Sequence, residues 1–214
     1  MAHPSVAGEL YESITGQLFE IGRQLRQPKG YPYDPAKLQR YLQNAVEGRF
    51  GDTVLKINRT QPFNPAQFLG EGWSIWKGPA DGDGLSGEEE QDERSLNLTE
   101  LDLSNIQLVT CLKEDESVIK GEEKLKRLKA KNYVRLDAKI FQTLWENKSL
   151  IPESWKEKTN SNTTFISFDG TTLRGPLGRR YVLCLCWGGG GWGWYCRWLE
   201  GGWSAYDPSA VLAS

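Results

Sequence analysis

An α+β fold is predicted by three features of this 214-residue chain. Apolar residues recur at steps of three and four in the first quarter, which is the stripe of amphipathic helices. Two compact helical patterns occupy 121–130 and 136–145. The last 50 residues then break into short alternating runs separated by turn residues, the mark of small antiparallel strands.

Along the chain, residues 6–27 place Val6, Leu10, Ile14, Leu18, Ile21 and Leu25 on one helical face. Gly30 and Pro32 break that pattern. Asp34 followed by Pro35 supplies a cap and a first-turn proline, and Leu38, Tyr41, Leu42, Ala45 and Val46 continue a second helix that Gly48 can end. Residues 1–50 therefore read as an N-terminal helical hairpin. It cannot bury both stripes alone, so it is expected to dock on the rest of the chain or on a second copy of itself.

Residues 51–130 read as a linking region. Residues 51–72 hold two prolines and one short element, and Trp73, Ile75 and Trp76 form an apolar patch. The acidic, glycine-punctuated run GPADGDGLSGEEEQDE follows. Residues 96–108 fit a strand or a short helix. GEEKLKRLKA at 121–130 is a helix with acids first and bases last, the order that its dipole favours.

In residues 131–214, Leu136, Ile140, Phe141, Leu144 and Trp145 share a helical face, and Pro152 ends that segment. Strand-like runs follow at 164–168, 170–173, 181–187, 191–199 and 209–213. Asp169-Gly170 and Pro176-Leu177-Gly178 are the expected turns between them.

Composition narrows the function. Charged residues make up 25% and the net charge is −2, so no basic field argues for nucleic acid. No run approaches the roughly 20 apolar residues of a membrane span, and no secretory leader is visible. Cytoplasm is the default expectation, with surface display left open. His3 is the one histidine and sits at the terminus, so no Ser-His-Asp or Cys-His pair can be assembled. Asp81-Gly-Asp83-Gly departs from an EF-hand loop and reads as solvated acid, not a metal site. Cys184, Cys186 and Cys196 without a fourth ligand read as buried thiols, and Gly188 to Gly191 as a hairpin turn. No cofactor and no metal are expected.

The most informative stretch is the last 34 residues, which hold five of the nine tryptophans. On a strand, successive side chains face opposite sides, so Trp192, Trp194 and Trp198 share one face while Gly191, Gly193, Tyr195 and Arg197 share the other. One face is uniformly large and apolar; its partner is chemically arbitrary. A scaffold is expected from Trp192, Trp194, Trp198, Trp203, Pro208 and Ala210. A ligand-binding surface is expected from Cys186, Trp187, Gly189, Gly191, Gly193, Tyr195, Cys196, Arg197, Gly201, Gly202, Ser204, Tyr206 and Asp207. On this reading truncating a scaffold tryptophan costs about 3–5 kcal/mol and Arg197→Ala less than about 0.5 kcal/mol.

The pattern W-x-W-x-x-x-W-L-x-x-x-W-x-A-x-x-P-S-A-V-L-A-S resembles the variable region of proteins diversified by diversity-generating retroelements. IPESW at 151–155 and FDGTTLRGPLGRRYVLCLCW at 168–187 are similar to the lead-in of such proteins. ITGQLFEIGRQLRQPKGYPYDP and GWSIWKGPADGDGLSGEEEQD are similar to hypothetical proteins of candidate-phylum bacteria. The resemblance implies a C-type lectin-like domain at 131–214 whose codons are randomised at adenines by an error-prone reverse transcriptase. Substitution in asparagine codons yields Gly, Tyr, Cys, Arg, Ser and Asp, the types at Gly191, Gly193, Tyr195, Cys196, Arg197, Ser204, Tyr206 and Asp207; Glu200 does not fit. The Glu-Pro-Asn and Trp-Asn-Asp patterns of calcium-dependent lectins are absent, so the resemblance implies neither calcium nor sugar. The expected function is a non-enzymatic protein binding an unknown ligand, itself a protein. The alternatives are a structural or assembly protein forming a homo-oligomer through the hairpin and the Trp-rich segment, and a hydrolase using the acids of 81–93.

Overall fold

The computed structural model describes residues 8–27, 35–46, 54–78 and 91–213. The acidic residues from Asp81 to Glu90, His3, Asp34, Gly30, Pro32 and Gly48 lie outside the described residues, and so do the readings placed on them. The chain divides into two compact units, Met1–Phe50 and Gly51–Ser214.

The first unit holds α1 (Glu9–Leu25) and α2 (Pro35–Val46) in the two stretches whose periodicity predicts helices. Pro35 occupies the first helical position of α2, where its missing N–H costs nothing.

The second unit mixes strands and helices, as expected of an α+β chain. In order it contains β1 (Val54–Lys56), α3 (Pro65–Leu69), β2 (Ser74–Ile75), α4 (Glu93–Leu96), β3 (Glu100–Asp102), β4 (Gln107–Val109), β5 (Val118–Lys120) and α5 (Gly121–Ala130). Then come β6 (Val134–Arg135), α6 (Ala138–Glu146), β7 (Phe165–Arg174), β8 (Arg180–Gly188), β9 (Gly191–Trp198), β10 (Gly202–Ser204) and β11 (Ser209–Leu212). The principal sheet runs β4-β11-β7-β8-β9, with β2 also on β7 and β6 also on β11. Residues 51–130 thus supply β2, β4 and α5 to the same unit as residues 131–214. All pairings in this sheet are antiparallel except β11 with β7, where Ser209 lies beside Ser167.

Both faces of the sheet are covered. Ile166, Phe168, Leu173, Leu183, Leu185 and Ala210 point to the face on which α6 lays Ile140, Phe141 and Leu144, all at 1% exposure or less. Val182, Val211 and Leu199 point the other way, against Leu125 and Leu128 of α5 and against Trp203. α6 starts at Asp137, whose buried carboxylate accepts from the backbone N–H of Lys139 and Ile140, from Arg59 Nη1 and Nη2, and from Ser95 Oγ. This cap, the pattern that starts helices, also ties Arg59 and Ser95 of α4 to the core.

Two expectations differ from the structure. Asp169-Gly170 is no turn: β7 runs through it with an irregularity between Phe168 and Leu173. Gly170 is required for another reason, since a Cβ there would collide with the Arg135 carbonyl. The 170–173 strand is therefore the continuation of 164–168. Residues 96–108 are not one element but the end of α4, β3, a 3-10 turn and β4. Pro176-Leu177-Gly178 does form a turn, closed by Gly178 N–H on the Gly175 carbonyl with Gly178 at φ 74°.

Candidate functional site

The site is built on the β8–β9 hairpin. Gly188 pairs with Gly191, leaving Gly189 and Gly190 as a two-residue turn. Their φ angles are 60° and 81°, the left-handed geometry that matches strand twist and favours glycine at both positions. The register then fixes two faces. Trp187 opposes Trp192, Leu185 opposes Trp194, and Leu183 opposes Cys196 on the α6 side. Gly188 with Gly191, Cys186 with Gly193, Cys184 with Tyr195 and Val182 with Arg197 lie on the other side.

The tryptophan face packs as alternation predicts. The Trp194 ring contacts Phe68, Phe141 and Trp145 with centroids 5.2–6.5 Å apart, and Trp192 meets Trp187 edge-on at 5.4 Å. Both are half-buried against the core, and Trp203 is fully buried at 1% exposure. Trp198 departs from the expected scaffold role: it is 41% exposed, at the open end of the hairpin, with the Arg179 guanidinium 4.9 Å from its ring. Pro208 and Ala210 are buried.

On the opposite face Tyr195 is exposed, with its ring 5.8 Å from Phe165. Gly191 and Gly193 lie along the same row. A Cβ placed on Gly191 meets nothing within 4 Å, and one on Gly193 meets Cys186 Sγ at an ordinary 3.5 Å. The framework glycines behave oppositely. A Cβ on Gly121 would strike the Trp203 ring, and one on Gly175 would lie 2.7 Å from the Tyr181 ring. The surface row has room for larger side chains; the framework has none.

Arg197, expected to be outward and unengaged, is half-buried and held on several sides. Its Nη2 is 2.8 Å from Asp207 Oδ1 and donates to the Gly202 carbonyl at 3.3 Å. Its guanidinium lies 5.6 Å from the Phe165 ring and 5.3 Å from the Trp203 ring. Asp207, expected on the ligand surface, is buried at 1% exposure; its Oδ2 accepts from Ser204 N–H and Oγ. Beneath them Lys124 is buried with Nζ donating to Ser167 Oγ and the Asp207 carbonyl, 4.3 Å from the Trp203 ring centroid. Burial pushes the Lys124 ammonium below its ordinary pKa against the pull of Asp169 and Asp207.

The remaining expected positions separate. Cys186 lies on the Tyr195 face, across from Gly193, but is buried at 6% exposure. Cys196 points to the α6 side and packs against the core, so it cannot join Cys184 and Cys186. Burial raises the pKa of Cys184 and Cys186 and pushes Cys196 up to about 12, so the thiols stay protonated near neutral pH, the form that neither ligates nor attacks. Trp187 is half-buried on the tryptophan side with Lys156 Nζ 4.2 Å above its ring, away from the Tyr195 face. Ser204 and Tyr206 are half-buried, Gly189 and Gly202 exposed and Gly201 half-buried. A Cβ on Gly201 or Gly202 meets Trp198 O at 3.1 Å or Val118 Cγ1 at 3.0 Å, so these two are less free than Gly191.

Phe165, Lys124 and Ser167 were not singled out from the sequence. Their runs are recognisable as a strand and a helix, but only the pairing register shows that they lie under Tyr195 and Arg197. Apart from this face, a cleft of about 560 Å³ is lined by Gln61, Asn64, Gln67, Phe68, Lys139 and Gln142, with Lys139 Nζ already donating to Gln142 Oε1 at 3.3 Å. No helix among the described residues is long and apolar enough to cross a membrane, and no cluster of metal-ligating side chains occurs among them. No protein-family model, curated protein or solved structure matches the chain.

Proposed function

We propose that this chain is a non-enzymatic binding protein that presents an exchangeable surface on the Gly191–Gly193–Tyr195 side of β9, to which Phe165 and Tyr206 contribute. The observation that carries the reading is the contrast among glycines: those of the surface row open on empty space or ordinary contact, while Gly121, Gly170 and Gly175 are closed by neighbouring atoms. Side chains can be exchanged on that row without moving the backbone that bears them. The tryptophan-ladder resemblance supports reading the second unit as C-type lectin-like and the row as the target of a diversity-generating retroelement. The ligand is a protein surface, because Tyr offers large contact area with a directional polar group and needs no dedicated pocket.

Within the candidate set, Gly191, Gly193, Tyr195, Ser204 and Tyr206 form the exchangeable part. Arg197 and Asp207 act as its support, and Trp187 and Cys196 belong to the other face. Sequencing this locus in sibling genomes tests the reading. Substitutions should concentrate at those five positions while Trp194, Trp203, Pro208 and Ala210 stay fixed. An even spread of substitutions along β7 to β11 would refute it.

A further inference from the structure

α1 carries an apolar seam that is largely exposed, with Ile21 half-buried. Tyr11, Ile14, Leu18, Ile21 and Leu25 follow steps of three, four, three and four, so they fill five consecutive core positions of a heptad repeat. Tyr11, Ile14, Leu18 and Leu25 are 58%, 42%, 52% and 46% exposed. Apolar positions spaced alternately by three and four match the seam of another helix that supercoils with this one.

The charges select which helix. Leu10, Thr15, Gln17, Gly22 and Gln24, the positions that flank the seam, carry no charge. A copy of α1 laid along another therefore meets no like-charge repulsion, and no oppositely charged foreign helix is called for. The helix's ion pair, Arg23 Nη2 to Glu20 Oε1 at 2.7 Å, lies away from the seam. Gly16 and Gly22 each weaken an isolated helix by about 1 kcal/mol, and 17 residues is close to the length at which even good helices are marginal in water. Such a segment gains its order from packing.

We infer that α1 joins copies of this chain, seam to seam, in a coiled coil. Leucine at Leu18 and Leu25 with isoleucine at Ile14 and Ile21 is the arrangement that favours more than two strands over a dimer. The consequence goes beyond the binding surface itself: several copies of that surface are tied together, so weak single contacts combine by effective concentration.

Sedimentation equilibrium of the full chain at tens of micromolar tests this, with Leu18→Glu and, as a control away from the seam, Glu12→Gln. The expected result is a mass of three or four chains for the parent and for Glu12→Gln, and one chain of 24.2 kDa for Leu18→Glu. Leu18→Glu should keep the melting temperature of the second unit. A parent that sediments as one chain overturns the inference, and so does an assembly that Leu18→Glu leaves intact. A monomeric parent that Leu18→Glu destabilises overturns it too, because the seam would then be covered within its own chain. None of these outcomes bears on whether substitutions concentrate on the β9 row.

Discussion

Arg197 shows how a residue on the nominally free face can belong to the framework. Strand alternation alone makes it outward and expendable, yet its guanidinium is paired with a carboxylate of 1% exposure. Arg197→Ala should therefore cost about 2 kcal/mol, because Asp207 would be left buried without its cation. Arg197→Lys should recover part of that loss, since an ammonium restores the charge but not the planar fork. Urea titrations of the two variants check this; equal stability of parent and Arg197→Ala would contradict it. The tryptophans divide in the same way. Trp203→Ala should cost about 3–5 kcal/mol, whereas Trp198→Ala should cost less than about 1.5 kcal/mol. Thermal melts of that pair separate the buried indole, whose Nε1 donates to the Trp198 carbonyl at 3.2 Å, from the exposed one. Which tryptophan is which was not legible from spacing. Trp203 is buried by α5 packing across it, a contact between residues some 80 positions apart in the chain that no local period reports.

Among the elements, α5, α6 and the β8–β9 hairpin were readable because each obeys its own periodicity, and the glycine pair specifies the turn. β7 was misjudged because Asp-Gly is a turn signal in isolation, while here the close approach of residues 134–136 sets the need for glycine. The short strands β2 to β6 were not legible, since two or three residues carry no period. For α6 the cap is the element's main tie to its surroundings. Asp137→Ala removes the carboxylate that accepts from two backbone N–H groups and leaves Arg59 facing the core without its carboxylate, a loss of about 3–5 kcal/mol. Asp137→Asn should lose less, because the amide oxygen still caps the helix. Denaturant midpoints of both variants, at unchanged slope, would confirm the order; the reverse order would show that the cap, not the charge, is expendable.

For the whole molecule, acid should loosen the second unit through Asp92. Burial by itself would raise that carboxyl's pKa, but hydrogen bonds from Arg94 and Arg135 overcome it and hold the value below the ordinary range. A carboxyl with a depressed folded pKa contributes its stability above the unfolded value of about 3.9 and loses it as pH falls through the folded one. Stability should therefore be level near neutrality and decline below about pH 4, and Asp92→Asn should flatten that decline while lowering stability at pH 7. Denaturation curves from pH 7 to pH 2.5 would measure both effects. A parallel decline in parent and variant would assign the acid sensitivity elsewhere.

β11 lies in the interior of the principal sheet, between β4 and β7, yet it follows every other strand of that sheet in the chain. On a ribosome, β7 emerges with its neighbour β11 still missing, and β4 waits for a partner made about 100 residues later. Closure of the sheet is thus a late, long-range event, and folding should be slow relative to helical domains of the same length. A nascent chain arrested before Ser209 should be open to protease at β4 and β7, and one arrested far enough past Leu212 to clear the exit tunnel should resist. The hairpin that carries Gly191, Gly193 and Tyr195 belongs to a sheet that is complete only once β11 is in place.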